Sequence, residues 1–489
     1  MPKYNFKYVK EGPAKDQFIE YANTPALELK ELYVKKIENG YLLPKRIRKD
    51  KINWMGIGGV LDSNKEWVEE SGVYRNENEK VFGGVYKVTE NLIERHMEET
   101  VIYMGPFFPH WGHFLLDFIP RLWYAMKEDK ISRIVYLNED NSEKISGNYA
   151  ELIELMGLDI NRFVDVRFLT SCNKIVIPQP CFQRGKYYSE MYRYMLDTIV
   201  SNVGDLELPK YEKLYLSRAH FGENTGKESG YEEIDKIFEE NGYAVMYPEE
   251  LSAREQIYYI NHCKEFVVVP GGSSMNMLFL KDNANIVFLQ KESIVPNIND
   301  LFFMSQLKKV NSVDYVSIYV LANFIQQIVE KKRDRFWVGI TPEFENYIRS
   351  REFKISQNLE SDKCVEKVMH EQICYFESQN EKQTSIKNNC DIDRIIEKEE
   401  NRKLILFGSG YCAKNFLGKY GYDKVAYFCD NDSTKVGGGI GGIEIISYSK
   451  MLEFYDESYL VVITVVKFDN IAKQLESSSI KDYLIYQLS

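Results

Sequence analysis

The sequence predicts an α/β protein in which three successive units each hold a parallel sheet. Short buried strands alternate with helices between residues 101 and 177, and a second such series runs from 213 to 289. A third series begins at 403, where a strand leads into a glycine-rich turn. Alternating strands and helices form parallel βαβ units with right-handed crossovers. A chain of 489 residues also exceeds what one hydrophobic core usually organises.

The first unit is predicted over residues 1–205. Its first hundred residues contain short runs of alternating apolar and polar residues, which are typical of strands and turns. A strand at 101–104 and a loop at 105–111 precede an amphipathic helix that ends near residue 127. The later elements are predicted in the order strand, helix, strand, strand, at 134–137, 149–156, 164–169 and 174–177.

Three further segments follow along the chain. A second α/β unit is predicted over 206–315, a polar helical connector over 316–400 and a small α/β unit over 401–489. The second unit alternates strands with helices. Its strands are predicted at 213–218, 243–247, 266–269 and 285–289, and its helices at 231–241, 248–263 and 276–280.

Charge and composition restrict the classes of partner. The 62 Lys and Arg residues face 73 Asp and Glu residues, and the net charge of -11 disfavours nonspecific binding to nucleic acid or to an anionic membrane. The eight cysteines include no Cys-x-x-Cys pair, so neither a zinc site nor a disulfide framework is predicted. The chain has no apolar window of the roughly 18 residues that a spanning helix needs and no apolar signal core after Met1. We expect a cytoplasmic protein of bacterial type, and peripheral membrane association stays open.

The segment from Gly105 to Arg121 places three polar side chains in an otherwise apolar run. If its second half is helical, His113, Asp117 and Arg121 recur every four residues and share one face. That face offers a base, a carboxylate and a cation, and it is either solvated or forms the wall of a cleft. Pro120 removes a backbone N–H inside the helix, and kinks of this kind often border a site.

The third unit opens with a glycine-rich turn between a strand and a helix. Gly408 and Gly410 belong to a Gly-x-Gly-x-x-Ala pattern, and Asp430 lies 20 positions beyond Gly410 at the end of the next strand. Such glycines let a diphosphate approach a helix N-terminus, so NAD(P) or a nucleotide is one candidate ligand. The alternative is that the glycines only turn the chain. Asp430 and Asp432 also form an Asp-x-Asp pair of the kind that binds metal, but their place after a glycine turn favours a small Rossmann-like domain, and we predict no metal site.

Short motifs follow one another through the first two units. Gly-His-Phe-Leu-Leu-Asp ends at Asp117, Tyr-Leu-Ser-Arg ends at Arg218, and a pair of glutamates starts at Glu232. Pro-Glu-Glu-Leu-Ser-Ala-Arg-Glu-Gln then occupies 248–256, and Pro-Gly-Gly-Ser-Ser-Met-Asn occupies 270–276. The order and spacing of these motifs resemble glycosyltransferase family 61 over roughly residues 25–310.

The chain departs from the family pattern at two positions near the expected donor contacts. Family members often carry a histidine where this chain has Gly271, and Tyr231 precedes Glu232 where the family usually has Asn before Glu.

The resemblance implies two Rossmann-like domains of the glycosyltransferase B type. The unit at 1–205 then lies on the acceptor side, and the unit at 206–315 binds the nucleotide-sugar donor. It further implies inverting transfer from a nucleotide-diphosphate sugar to a glycan or lipid-linked saccharide, as in polysaccharide or capsule assembly, with no cofactor required. The third unit is similar to small Rossmann-like domains that accompany sugar-modifying enzymes.

The chemistry of such a transfer assigns candidate roles. An acceptor hydroxyl needs a base at neutral pH, for which Asp117 is the first candidate and His113 the second. A carboxylate also stabilises the oxocarbenium character of the transition state. Arg121 is expected to pair with Asp117 and orient it.

The donor-binding candidates lie in the second unit. Arg218 is expected to neutralise the departing diphosphate, and the backbone of Gly272, Ser273 and Ser274 to solvate it. Each has an ordinary structural alternative, such as a surface ion pair for Arg218. The remaining candidates are Asn276, which alternatively bonds the turn, and Glu232 and Glu255, which alternatively favour a helix dipole or are solvated.

Two other functions remain open from the sequence. The departures at Tyr231 and Gly271 leave room for a noncatalytic scaffold that binds nucleotide sugars. The glycine turn at Gly408 leaves room for an NAD(P)-dependent sugar-modifying enzyme, although residues 401–489 hold only half of a usual dinucleotide fold and no Tyr-x-x-x-Lys pair.

Overall fold

The computed structural model describes most of the chain. The described residues are 1–47, 54–75, 79–86, 94–128, 132–138, 144–221, 228–292, 298–320, 336–355, 361–383, 402–466 and 468–486. Much of the predicted connector, namely 321–335, 356–360 and 384–400, lies outside these ranges. The described part of the connector holds the strand Phe336–Trp337 and the helices Pro342–Ser350 and Ser361–Gln383.

Three six-stranded sheets organise these residues, which confirms an α/β architecture with parallel sheets. Four strands of the first sheet are parallel, and two more join one edge by antiparallel pairing. In order across the sheet, the strands are Ile57–Leu61, Val34–Arg46, Leu169–Pro178, Glu94–Pro106, Arg133–Leu137 and Phe163–Asp165. Where two strands were predicted at 164–169 and 174–177, the structure has a three-residue edge strand and a strand that begins at Leu169.

The second sheet is entirely parallel. Its strands are, in order, Lys3–Tyr8, Ser312–Ser317, Asn285–Gln290, Glu265–Val268, Lys213–Leu216 and Ala244–Met246. Central residues such as Phe266 and Val268 are fully buried, as expected for strands that are covered on both faces. The first strand of the chain thus completes the second sheet, although the sequence groups it with residues 1–205.

The third sheet has the strand order of a Rossmann-like half and packs against the first unit. Its strands are, in order, Gly439–Ile440, Ile443–Ile446, Val425–Cys429, Lys403–Phe407, Tyr459–Ile463 and Tyr483–Ile485. The buried Arg46 of the first unit donates from Nε to the Gly441 carbonyl at 2.8 Å. Its guanidinium also lies over the Tyr422 ring, so this unit is docked rather than only tethered.

Helices and short strands complete the three units. The other α-helices are Pro13–Ala22, Gly147–Leu155, Glu190–Val203, Glu232–Glu240, Ala253–His262, Ile298–Leu307, Tyr411–Tyr420, Tyr448–Phe454 and Asp469–Ser477. Single 3-10 turns occupy Glu69–Ser71, Ile160–Arg162 and Pro248–Glu250, and a longer 3-10 helix occupies Gly272–Phe279. Two- and three-residue strands also form at Leu27–Glu28, Val73–Tyr74, Lys80–Phe82, Phe182–Gln183, Tyr187–Tyr188 and Glu228–Ser229. Where one helix was predicted at 248–263, the structure has a 3-10 turn followed by the helix Ala253–His262. The helix predicted at 276–280 begins at Gly272 and is a 3-10 helix.

One hydrophobic cluster joins the first two units. Phe114 and Phe118 from the first unit and Met277 and Leu278 from the second belong to it, and all four are fully buried. Because a single apolar interior runs from one unit into the other, their sheets are held in a fixed relation.

The helix that was predicted after the loop at 105–111 is broken into four pieces. It runs as Trp111–His113 (α), Phe114–Phe118 (π), Ile119–Arg121 (3-10) and Trp123–Lys127 (α). Pro120 supplies no backbone N–H, and the widened turn leaves the Leu115 carbonyl to accept the Tyr192 hydroxyl at 2.9 Å. The break turns Arg121 away from the face that holds Asp117.

Arg121 therefore does not pair with Asp117, which corrects the sequence expectation. Only 2% of it is exposed, and its guanidinium donates to the carbonyls of Pro178 at 2.6 Å, Gly72 at 2.9 Å and Glu70 at 3.0 Å. The side chain ties the end of a central strand to the 69–74 loop. Its contacts are those of a structural residue.

We predict that Arg121→Met destabilises the fold without acting on the chemistry. The substitution leaves three carbonyls without their donor, two of them buried, at a cost of at least about 2 kcal/mol, since one unsatisfied buried group costs roughly 1–3 kcal/mol. The melting temperature measures this loss. The matched control is Arg349→Met, because Arg349 is exposed and forms only a helical pair with Glu345. A normal melting temperature with lost turnover would show that Arg121 acts in catalysis instead.

Candidate active site

The first two sheets each have a topological switch point. In the first sheet, Glu94–Pro106 lies between Arg133–Leu137 and Leu169–Pro178, and in the second, Lys213–Leu216 lies between Ala244–Met246 and Glu265–Val268. Open α/β sheets bind ligands outside the carboxyl ends of strands at such points. The loops that leave both points line common cavities.

Two neighbouring cavities lie between these loops. The larger, of about 750 Å³, is lined by Trp111, Tyr149 and Lys144 from the first unit and by Gln256, Ser273 and Asn276 from the second. The smaller, of about 340 Å³, is hereafter the cation cavity, because Arg75, Arg184, Arg218 and Lys291 line it together with His113. His110, Arg218 and Gly272 line both cavities, so the two adjoin.

Arg218 follows the strand Lys213–Leu216 and belongs to a buried ion cluster. Its Nε and Nη2 both donate to the Glu228 carboxylate at 2.8 Å, and the Lys291 ammonium and the Tyr231 hydroxyl bond the same carboxylate. Burial alone would raise the pKa of Glu228, but Arg218 and Lys291 outweigh it and lower that pKa to about 2. The cluster is therefore charged and fixed at neutral pH. The surface ion pair that the sequence left open for Arg218 is not what forms.

His113 and Asp117 come together as the sequence predicts. The His113 Nδ1 lies 2.7 Å from the Asp117 Oδ2, and the Arg184 Nη1 lies 3.6 Å from the same oxygen. Arg184 also bonds the buried Asp300. Burial favours a higher pKa for Asp117, yet Arg184 and His113 hold that pKa below its usual value. Arg184 thus takes the place that the sequence assigned to Arg121.

A chain of side-chain hydrogen bonds crosses between the two units in the larger cleft. The Trp111 Nε1 donates to the Asn276 Oδ1 at 2.6 Å, and the Asn276 Nδ2 donates to the Gln256 Oε1 at 2.9 Å. Gln256 is buried and donates in turn to the carbonyls of Pro248 and Leu251. Asn276 is therefore oriented from both sides at the cleft, and Gln256 is not solvated.

The turn at Gly272, Ser273 and Ser274 borders both cavities. Ser274 is buried, and its hydroxyl donates to the Gly271 carbonyl at 2.7 Å, so it holds the turn together. Ser273 lines the larger cleft, but its hydroxyl oxygen is buried and has no hydrogen-bond partner within the described ranges. A Cβ on Gly271 would lie 3.3 Å from the Arg218 Nη1, so the glycine that replaces the family histidine leaves room for that guanidinium.

Glu232 and Glu255 line neither cavity. Glu232 is exposed in the first turn of the helix Glu232–Glu240. Glu255 forms a capping box with Ser252, whose backbone N–H and hydroxyl donate to its carboxylate at 2.9 and 2.8 Å. Glu232 lies at a helix start, as its structural alternative supposed, whereas Glu255 caps its helix instead of being solvated.

Glu228, Lys291 and Arg184 were not singled out from the sequence. Lys291 directly follows the strand Asn285–Gln290, and Arg184 lies shortly beyond the carboxyl end of Leu169–Pro178, so strand ends offered a signal for both. Glu228 lies in no recognisable motif. Its role depends on contacts with Arg218 and Lys291, which are 10 and 63 positions away.

The glycine turn of the third unit has a partly structural explanation. A Cβ on Gly408 would lie 2.3 Å from the Val465 side chain, whereas one on Gly410 would meet open space. The Asp430 carboxylate accepts the Ser409 N–H at 3.0 Å and the Ser409 hydroxyl. Asp430 therefore closes the turn itself, and the space beside Gly410 is what remains for a ligand.

The described residues were compared with the requirements of a metal site and of a membrane-spanning helix, and they meet neither. They contain no group of three His, Cys, Asp or Glu side chains that could hold a metal ion. No helix in the same ranges is long and apolar enough to cross a membrane.

Comparison with known proteins bears on the same region. Residues 111–287 match the family model of Glycosyltransferase 61, and this stretch contains His113, Asp117, Arg218 and Asn276. No curated protein matches the chain. A solved structure of the dodecameric iron-containing heptosyltransferase TibC in complex with ADP-D-beta-D-heptose is similar at 11% identity, over 56% of this chain and 80% of that one, with a TM-score of 0.22. At that TM-score the likeness assigns neither fold nor ligand. The resemblance to glycosyltransferase family 61 is confirmed for residues 111–287 by the family model, and this chain is a glycosyltransferase.

Proposed function

We propose that the protein transfers a sugar, with inversion, from a nucleotide-diphosphate donor to a hydroxyl of a glycan or lipid-linked saccharide. The observation that carries this proposal is that Arg218 and Lys291 line one cavity together with His113, which is hydrogen-bonded to Asp117. Cations for a leaving diphosphate and a base for an incoming hydroxyl are what such a transfer requires.

The donor nucleotide is assigned to the larger cleft. Trp111 and Asn276 line it, and the hydrogen bond between them crosses from one unit to the other and fixes this part of its wall. The diphosphate then lies at the junction with the cation cavity, against Arg218 and Lys291. Glu228 holds two nitrogens of Arg218, which fixes the fork and leaves Nη1 on the side of Gly271. Protein cations then do the work for which other transferases use a metal, and this supports transfer without a metal cofactor.

The base is assigned to the pair of His113 and Asp117, with His113 as the member that takes the proton. Asp117 is almost fully buried and its lowered pKa keeps it ionised, so it is a poor proton acceptor and a good partner for the imidazole. With Nδ1–H held by Asp117, the Nε2 of His113 is left to accept a proton in the cation cavity. From the sequence, Asp117 was the first candidate for the base and His113 the second, and we propose the reverse.

The two sheets support a glycosyltransferase B arrangement. Each sheet presents the carboxyl ends of its strands at the shared cavities, as expected if one unit holds the donor and the other the acceptor.

We predict that Arg218→Met weakens the binding of nucleotide diphosphates by roughly tenfold to a hundredfold, since a hydrogen bond to a charged group is worth about 1.5–3 kcal/mol. Isothermal titration of the intact chain with UDP, GDP, ADP, NAD and NADP, in the presence of EDTA, measures this. Arg254→Met is the matched control, because Arg254 lines neither cavity and pairs with Glu151. Equal affinity of the wild type and Arg218→Met for nucleotide diphosphates would show that the diphosphate does not bind at Arg218. NAD(P) binding that is unaffected by Arg218→Met would direct attention to Gly410.

We predict that His113→Gln and Asp117→Asn each lower the turnover number about 10²- to 10⁴-fold, the usual contribution of a general base, and leave UDP affinity unchanged. The double variant should be no slower than the slower single variant, because residues that act as one unit do not contribute additively. Sugar transfer or donor hydrolysis provides the rate. If Asp117→Asn is inactive while His113→Gln is active, the proton goes to Asp117 directly and our order is wrong.

A further inference from the structure

A third cavity, of about 390 Å³, lies on the other side of Asp117 from the cation cavity. It is formed by the first unit alone, from the 69–74 loop, the residues after the strand Leu169–Pro178, and Tyr33. Nothing described so far uses it. It is hereafter the tyrosine cavity, after three residues that line it: Tyr33, Tyr74 and Tyr187.

The tyrosine cavity and the cation cavity share a wall. Leu116 and Arg184 line both of them. Asp117 lines the tyrosine cavity and His113 lines the cation cavity, so their 2.7 Å hydrogen bond links the two spaces. A molecule in the tyrosine cavity is therefore beside Asp117, the partner of the proposed base His113, on the side opposite the proposed diphosphate site.

The lining combines aromatic faces with amides. Tyr33 is 53% exposed, yet its backbone is clamped by Gln179, which accepts the Tyr33 N–H at 3.2 Å and donates its own N–H to the Tyr33 carbonyl at 3.0 Å. Tyr187 is buried behind it. Gln183 adds a second amide. Aromatic rings pack against the C–H faces of sugars, and amides both donate to and accept from hydroxyl groups.

The charges around the tyrosine cavity balance. Its carboxylates are Glu69, Glu70 and Asp117, and its cations are Arg121, Arg184 and Lys186. The guanidinium groups of Arg121 and Arg184 are already bound to carbonyls and carboxylates. The cavity thus has no excess charge to recruit an anion, in contrast to the cation cavity.

We propose that the tyrosine cavity binds the acceptor, and that the acceptor is an uncharged saccharide. This inference rests on the proposed function. The sugar ring packs on Tyr33 and its hydroxyls bond Gln179 and Gln183. The end that carries the reacting hydroxyl passes Leu116, which lines both cavities, into the cation cavity, where His113 is the base. The proton of that hydroxyl passes to the base as the oxygen bonds the anomeric carbon, and the bond from that carbon to the diphosphate breaks.

Binding of neutral and anionic disaccharides to the intact chain tests the proposal. The probes are maltose, lactose and N,N'-diacetylchitobiose as neutral sugars and digalacturonate as the anion, observed by saturation-transfer NMR. At least one neutral disaccharide should bind, and more tightly than digalacturonate. Tyr33→Ala should weaken that binding about fivefold or more, equivalent to about 1 kcal/mol. Tyr33→Phe keeps the ring and should bind normally.

Tyr194→Ala is the matched control, because Tyr194 is 59% exposed on the helix Glu190–Val203 and does not line the cavity. UDP and GDP affinity, measured on the same variants, separates this proposal from the proposed function: loss of the sugar with retention of the nucleotide isolates the tyrosine cavity. Tighter binding of digalacturonate, failure of every neutral disaccharide to bind, or neutral binding that Tyr33→Ala leaves unchanged would each overturn the inference.

Discussion

The packing of the Trp111–His113 turn on the Gly272–Phe279 helix is the contact on which the rest of the site depends. The two backbones lie close here, because a Cβ on Gly112 would be in van der Waals contact with the Gly272 Cα at 3.7 Å. The hydrogen bond from Trp111 to Asn276 crosses the same contact. Because the turn carries His113 and the helix follows Gly271, this one contact sets the distance between the proposed base and the proposed diphosphate site.

Two buried ion clusters hold the cations of the site in fixed positions. Removing ions from water costs several kcal/mol each, and that cost is offset only when partners and hydrogen bonds are well placed. Glu228 is the negatively charged partner of Arg218 and Lys291. Asp117 and Asp300 are the partners of Arg184. The cations are therefore fixed before any ligand arrives, and little reorganisation is needed as negative charge develops on a leaving group.

Much of the fold and part of the site were predictable from sequence. The alternation of strands and helices located most strands of both parallel sheets, and the spacing of four residues brought His113 to Asp117. Periodicity could not predict the π turn, because it assumes a constant helical pitch, and Arg121 was misplaced for that reason. Arg184 and Glu228 escaped notice because their partners are distant in sequence and are set by topology rather than by local pattern.

The arrangement of the cavities favours inversion at the anomeric carbon over retention. Inversion requires the hydroxyl to attack the anomeric carbon from the face opposite the leaving diphosphate. Arg218 and Lys291 stand on the second unit, whereas the wall of Leu116 and Arg184 belongs to the first, with His113 beside it. In the arrangement that we propose, an acceptor that comes through the tyrosine cavity approaches a donor sugar in the cation cavity from the side away from Arg218 and Lys291. A double displacement would need a carboxylate nucleophile in contact with the sugar. Asp117 is a poor choice for that role, because His113 and Arg184 both hold its Oδ2 and its side chain lines the other cavity.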